Sequence, residues 1–438
     1  MNPHVMTPHE LAAAPPSARA AVRTGRVAIV DPFSTGEYLA AAFARHGVEA
    51  VAVVATVPPP ERAVQLGADQ YAAVIPYEGN TGEVAGHLKR LRVSHVIAGS
   101  ESAIPVADWL ASRLGVPGND PSSTAVRRDK FAMAGALAQA GVPHARTMRA
   151  FSVGGARESA RELGGPPLVV KPADSAASDR VTVAHSVEQV ALLAADILSA
   201  SNIFGRPNET VVVQQYLSGE QYAVNTVSRG GVHRLVEVWH DRRTDLGDGR
   251  MIYDRMDLLA PGDPRVPLLS GYVRACLDAL GIVHGPAHSE VMLTADGPVL
   301  IETGARLQGG DSVPLMRTAT GTSQTDAAVQ AALDAPDIHA ARACEPYAYA
   351  PVTQLFLQAP TDGWIGEDAI EQLVQIPGVA GCVHAPAAGT AVRRTVDLLS
   401  SPATVYLIAD ATWQVDQTYA AVRKLEAAHF YQSAHQGR

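Results

Sequence analysis

The spacing of apolar runs changes once along the chain, at Pro166-Pro167, and that change limits what it can fold into. Before it, strand-like runs at residues 26–31, 49–55, 72–77 and 95–100 alternate with helical stretches such as 37–46, which Gly47 closes. Such alternation implies parallel pairing in an open sheet. Two helical pieces fill 122–141 and stop at Gly141 and Pro143. After Pro167 the runs at 168–171, 180–185, 210–217, 221–228 and 232–240 follow one another closely, as antiparallel strands do. A helix is expected over 264–280, then strands 287–293 and 299–303 joined by Ala295-Asp296-Gly297, a good hairpin signal. The last ninety or so residues read as a small α+β module: a strand at 352–357, a helix at 367–375, strands near 383 and at 404–408, and a final helix from about 414. The fold class is therefore α/β followed by α+β.

Composition narrows the function classes. The chain has 438 residues, 47% hydrophobic and 18% charged, which suits a globular protein of two to four domains at roughly 100–200 residues each. A net charge of −9 argues against nucleic acid as the main partner. Three dispersed cysteines, Cys276, Cys344 and Cys382, form no CxxC pair, which rules out a disulfide framework or zinc knuckle and fits a reducing compartment. No run approaches the roughly 18–20 apolar residues of a membrane span, and residues 1–24 lack a secretory pattern. A mobile tail, no membrane partner and a cytoplasmic address are the expectations. Of 35 basic residues only Lys89, Lys130, Lys171 and Lys424 are lysines, so a lysine in an informative place is less readily filler.

Four constellations carry chemistry. A turn at 295–297 sets Glu290 opposite Glu302, and period-2 alternation puts both carboxylates on one face. Like charges directly opposed are unfavourable unless a cation lies between them, and oxygen ligands in this arrangement suit Mg²⁺. His288 shares the face of Glu290, and Arg306, four residues past Glu302, can grip a phosphate or carboxylate bidentately. Lys171 ends a strand ahead of a small-residue loop, 173–180, able to cradle phosphate, although without the Walker order. Lys130 stands in the charge cluster Arg127-Arg128-Asp129-Lys130 at a helix start. Gln214-Gln215-Tyr216-Leu217, followed by Ser218-Gly219-Glu220-Gln221, is a strand–turn–strand that exposes backbone groups for an adenine edge.

In this order the pieces resemble the ATP-grasp superfamily of carboxylate–amine ligases, over roughly residues 25–340. Gly285-x-x-His288-x-Glu290 and the C-terminal module look like its L-amino-acid ligase branch. The resemblance implies a Rossmann-like pre-grasp domain at 25–125, a small lobe at 126–218, a large lobe at 219–345 and a C-terminal α+β domain at 346–438. It implies Lys130 and Lys171 on the nucleotide phosphates, and Ser175, Ala176, Ala177 and Ser178 as the phosphate loop. Gln214, Gln215, Tyr216 and Leu217 become the adenine hinge, with Glu220 or Gln221 near the ribose. Glu290 and Glu302 bind Mg²⁺, two ions in all, Arg306 holds the acyl phosphate or γ-phosphate, and His288 sits at the amino-acid pocket. A homodimer is implied by analogy. Three departures stand out: alanines in the phosphate loop, glutamines at the start of the hinge, and Gly304 where the metal motif often has asparagine.

The implied reaction joins the carboxylate of one amino acid to the amine of another through an acyl phosphate, releasing ADP and phosphate. A dipeptide and a γ-glutamyl amide both fit. The alternatives are another ATP-grasp ligase or carboxylase, or a nucleotide-binding module without catalysis. The phosphate loop and the long charged segment 228–259 are expected to close over the site, with one of Arg242, Arg243 or Arg255 on a substrate carboxylate.

Overall fold

The computed structural model describes residues 25–55, 68–175, 179–248, 250–310, 312–333 and 349–433. The expected tail, Ala176, Ala177 and Ser178, and most of the boundary near 341–349 lie outside them.

The first sheet holds β1 (Arg26–Val30), β2 (Glu49–Val54), β3 (Tyr71–Pro76) and β4 (Val93–Ala98) in the order β3-β2-β1-β4, every pair parallel. One of its faces packs on the helices Thr81–Arg90 and Ile104–Leu114 through Val84, Leu88 and Leu110. The other packs on the helix Tyr38–Ala44 through Leu39 and Phe43.

A second, antiparallel sheet comprises β5 (Thr147–Ala150), β6 (Leu168–Pro172), β7 (Thr182–Ala184) and β8 (Val211–Gln215), ordered β5-β8-β6-β7. The helices Val153–Glu162 and Val187–Leu198 cover it with a separate small core. Val211 and Val213 of β8 join Leu168 and Val170 of β6 in that core, as the two-residue period of the pleat requires.

The third sheet is the largest. It is built from β9 (Glu220–Arg229), β10 (Val232–Asp245), β11 (Met251–Leu258), β12 (Gly285–Thr294), β13 (Gly297–Gly304) and β14 (Val352–Phe356). The C-terminal region adds β15 (Gly363–Ile365), β16 (Val379–Val383), β17 (Ala391–Val392), β18 (Thr404–Ile408) and β19 (Tyr431–Ser433). The large sheet runs β13-β12-β9-β10-β11-β14-β18-β16, and β17-β15-β19 form a small sheet of their own. The C-terminal residues thus share a sheet with the strands from 220 onward. One face of β9, β10 and β12 buries Tyr222, Val224, Val238 and Val291 against Leu269, Val273 and Leu277 of the helix Arg265–Ala279. That core is continuous with the first sheet, so the two are packed as one unit.

The charged segment 228–259 is largely strand. Those residues are mostly the β10–β11 ladder. Their charges pair across or along strands: Arg242 donates to Asp257 at 2.8 Å, and Arg243 to Asp241 at 2.6 Å. Ion pairs of this kind let a charged sequence lie in a sheet. Among the described residues no helix is long and apolar enough to cross a membrane.

Candidate active site

A cleft lies between the second sheet and the open face of the third. It holds about 1000 Å³ of empty space, counting the part open to solvent. Lys130, Lys171, Ser175, Gln214, Gln215, Tyr216, Leu217, Gln221, Glu290 and Glu302 all line it, together with Arg243. Residues spread over more than 170 positions of chain are gathered by the packing of two sheets.

Glu290 and Glu302 face each other in the β12–β13 ladder, as their spacing predicts. The route to that register was not legible. Near the turn Thr294 pairs with Gly297, and Val291 with Leu300; an irregularity at Ile301 then shifts the ladder by one residue, so that Glu290 meets Glu302. Without that bulge the pleat would turn Glu302 to the opposite face, because a one-residue slip exchanges the faces of a strand. Burial opposes the charge of Glu290, yet the His288 imidazole and Arg243 hold its carboxyl well below the usual range. Its Oε2 accepts from Gln221 Nε2 at 2.9 Å.

Lys130 opens the helix Lys130–Gln139, whose N-cap Asp129 accepts from the backbone N–H of Phe131 and Ala132 at 3.0 and 2.9 Å. Its Nζ reaches Glu302 Oε2 at 2.9 Å and donates to the carbonyl of Ser175 at 2.8 Å. The whole charge cluster is used rather than solvated. Arg127 is fully buried on Asp108 at 2.8 Å, and Arg128 binds Glu101 and Asp174. Lys171 is 2% exposed, and burial, with Lys130 nearby, brings its ammonium down to about 8. It has no hydrogen bond or ion pair among the described residues, and Glu302 and Glu290 act to raise its affinity for the proton.

Strand alternation separates the two candidates for the ribose. Gln221 faces the cleft, whereas Glu220 turns to the other face, where its carboxylate accepts from the Tyr222 hydroxyl at 2.6 Å. Gly219 joins the two sheets at a close approach: a Cβ there would stand 2.2 Å from the carbonyl oxygen of Leu293. Gln214 Nε2 donates to Thr147 Oγ1 at 2.9 Å, and Gln215 Oε1 accepts from the Arg146 N–H at 3.2 Å.

Arg306 and His288 lie beyond the cleft wall. His288 Nε2 is 3.7 Å from Glu290 Oε1, and its Nδ1 is 2.8 Å from Asn225 Oδ1. Arg306 Nε donates to Glu101 Oε2 at 2.7 Å. Glu101 is the main residue that sequence reasoning missed. It follows β4 in the first sheet, at the carboxyl end of a parallel strand, where open sheets place ligands. Burial works against its charge, but Arg128 and Arg306 hold the carboxyl low. Glu101 also accounts for Gly304. A Cβ at 304 would lie 2.5 Å from Glu101 Oε2, so the carboxylate occupies the space a side chain there would need. Of the three arginines considered for substrate, Arg243 lines the cleft, stacked 3.5 Å over the Tyr253 ring. Arg242 lies at the surface on Asp257, and Arg255 pairs with Asp416 at 2.8 Å.

Residues 129–253 match the family model described as phosphoribosylglycinamide synthetase, ATP-grasp (A) domain. The chain is 30% identical over 416 residues to dapdiamide A synthase of Enterobacter agglomerans, covering 92% of this chain and 96% of that protein. It is 23% identical over 220 residues to the L-arginine-specific L-amino acid ligase of Bacillus subtilis, 49% of this chain and 52% of that one. Its fold is similar to that of L-amino acid ligase from Bacillus licheniformis, with a TM-score of 0.72 at 18% identity over 94% of this chain and 100% of that one. A relative matched along nearly its whole length, and a cleft that unites two lysines with two facing glutamates, lead to one conclusion: the chain belongs to the ATP-grasp carboxylate–amine ligases.

Proposed function

We propose that this ligase joins the carboxylate of one amino acid to the amine of another, with ATP converted to ADP and phosphate. The observation that carries the reading is the set of Lys130, Lys171, Glu290 and Glu302 around one cleft, with Arg306 and His288 behind it. The amino-acid ligases among its relatives support the choice of substrate class.

A carboxylate is a poor electrophile. Transfer of the γ-phosphoryl group of ATP to its oxygen makes an acyl phosphate and releases ADP; a neutral amine then attacks the carbonyl, and phosphate leaves as the amide forms. Lys130 and Lys171 bind the phosphates and offset charge in the transferring group. Arg306, oriented by Glu101, holds the acyl phosphate, and Arg243 is the substrate-facing arginine of its group. Two facing carboxylates fit Mg²⁺, which takes one or two such ligands and fills its shell with phosphate oxygens and water. Two ions are proposed here, with phosphate oxygens and water completing their shells. Glu290 and Glu302 would hold them, and the metal would supply charge neutralisation at the phosphates.

Phosphate release from MgATP, scanned over pairs of amino acids with products identified by mass, tests the reading. A product of the summed masses less water, formed with ADP and phosphate, is the expected result. Release that depends on bicarbonate instead would make the chain a carboxylase, and ATP binding without release for any pair would favour a non-catalytic module.

A further inference from the structure

The bulge that brings Glu302 opposite Glu290 has to be held in place, because the extra residue could lie elsewhere along β13. Beyond Glu302, it would leave that carboxylate on the far face of the sheet. Nearer the turn, it would set Ile301 rather than Leu300 against Val291. In the structure Leu300 and Val291 share the core, and Ile301 lines the cleft. A polar contact guards each side. On the Glu302 side, Ser289 and Thr303 pair across the ladder, both buried, with their hydroxyl oxygens 2.7 Å apart. On the Leu300 side the contact comes from outside the sheet. β13 is its edge strand, and the Leu300 N–H donates at 2.7 Å to the hydroxyl of Tyr272, on the helix Arg265–Ala279. The same hydroxyl donates to the carbonyl of Pro143 at 2.6 Å. A carbonyl only accepts and an N–H only donates, so both capacities of this hydroxyl are used and its orientation is fixed. The Cys276 thiol lies beside it, one turn along the same helix.

Pro143 belongs to the chain that leaves the helix Lys130–Gln139 and enters β5 of the second sheet. His144, next to it, forms a parallel bridge with Leu300. One phenol thus joins the bulge, the helix behind it and the chain that crosses between the two sides of the cleft. The helix that ends there begins with Lys130, whose ammonium is on Glu302. We propose that Tyr272 is a positioning residue whose hydroxyl pins the bulge at Ile301 and so fixes the aim of the Glu302 carboxylate toward Mg²⁺. It does not line the cleft and acts through the Leu300 backbone. The proposal rests on the metal site read above. With Leu300 and Thr303 both held, the extra residue is confined between them. Phenylalanine at 272 would keep the ring but free Leu300, and the bulge could then pass toward the turn. Bulges re-aim the side chains beside them, so Glu302 would lose its fixed direction.

The test is the affinity of the full chain for ATP, titrated calorimetrically with Mg²⁺ and, separately, with a chelator. Tyr272→Phe is expected to lose about tenfold or more of the advantage that Mg²⁺ gives the wild type, as changes to groups that orient metal ligands do. Its affinity for ATP with chelator should stay the same. Val273→Ala, which opens a cavity beside the same helix, is the control: it should lower Tm and leave the Mg²⁺ advantage intact. In a Glu302→Gln background Tyr272→Phe should have no further effect, since changes that act through one group do not add. Hydrogen exchange of the ligand-free chain reads the contact directly. The Leu300 amide should be protected in the wild type and exchange faster in Tyr272→Phe, by a larger factor than in Val273→Ala. Three outcomes overturn the pin: a full Mg²⁺ advantage in Tyr272→Phe, an equal loss in the Glu302→Gln background, or an unprotected Leu300 amide in the wild type. A wild type that binds ATP equally well with Mg²⁺ and with chelator overturns the metal reading, and the pin with it.

Discussion

Lys171 shows how one side chain can be tuned by its surroundings. An ordinary lysine holds its proton to about 10.4, but burial, with Lys130 nearby, brings this one down to about 8 against the pull of Glu302 and Glu290. In the free protein it is charged below pH 8 and neutral above. Because kcat/KM reports the free enzyme, that parameter for ATP should be flat below pH 8 and fall about tenfold per unit above it. A pH–rate profile checks this, and Lys171→Arg should move the alkaline limb out of range. The sign for stability is opposite. The unfolded lysine binds the proton between pH 8 and about 10.4 while the folded one does not, so ligand-free stability gains from this group as pH rises through that window. Lys171 was legible because lysine is rare in this chain and stands at a strand end. Glu101 was not, since its partners Arg128 and Arg306 are 27 and 205 positions away.

Among elements, the join between β8 and β9 decides whether the cleft forms. It crosses from the second sheet to the third within a few residues, and Gly219 passes against the carbonyl of Leu293 at a distance that excludes a Cβ. Gly219→Ala must push the strands apart. Overpacking of this kind typically costs about 1–3 kcal/mol, so Tm should fall by several degrees and the KM for ATP should rise. Thermal unfolding and ATP titration of the variant measure both. The β12–β13 hairpin was legible in outline from Asp296-Gly297 and the apolar runs around it. Its bulge at Ile301 was not, because a bulge is a property of two paired strands rather than of one. β11 escaped for a related reason. Its alternation is masked by Asp254, Arg255 and Asp257, whose partners Arg423, Asp416 and Thr353 come from elsewhere in the chain.

At the scale of the whole molecule, the cleft is a junction of two bodies with separate cores, and the proposed nucleotide site spans them. A ligand that binds only the assembled cleft stabilises it by mass action, about 2.7 kcal/mol at a hundredfold excess over Kd. MgATP should therefore raise Tm by several degrees, and ATP with a chelator by less. In Glu302→Gln the two should become nearly equal, because one of the two facing carboxylates is gone. Differential scanning with and without Mg²⁺ decides it; an undiminished Mg²⁺-dependent shift in the variant would remove Glu302 from the metal site.

The local chemistry of this protein was settled by short-range sequence. Strand and helix periods, the hairpin signal at 295–297, Lys171 at a strand end and the two-residue spacing of His288 and Glu290 all depend on neighbours in the chain. Such features are governed by backbone sterics and side-chain period, which a linear sequence contains. The rest required the fold. That Gln221 rather than Glu220 faces the cleft, that a bulge aligns Glu290 with Glu302, that Glu101 fills the space beside Gly304 and that Glu237 is buried next to Asn225 are all outcomes of long-range pairing. Register, burial and charge pairing depend on which distant segments share a face, and no local pattern encodes that choice.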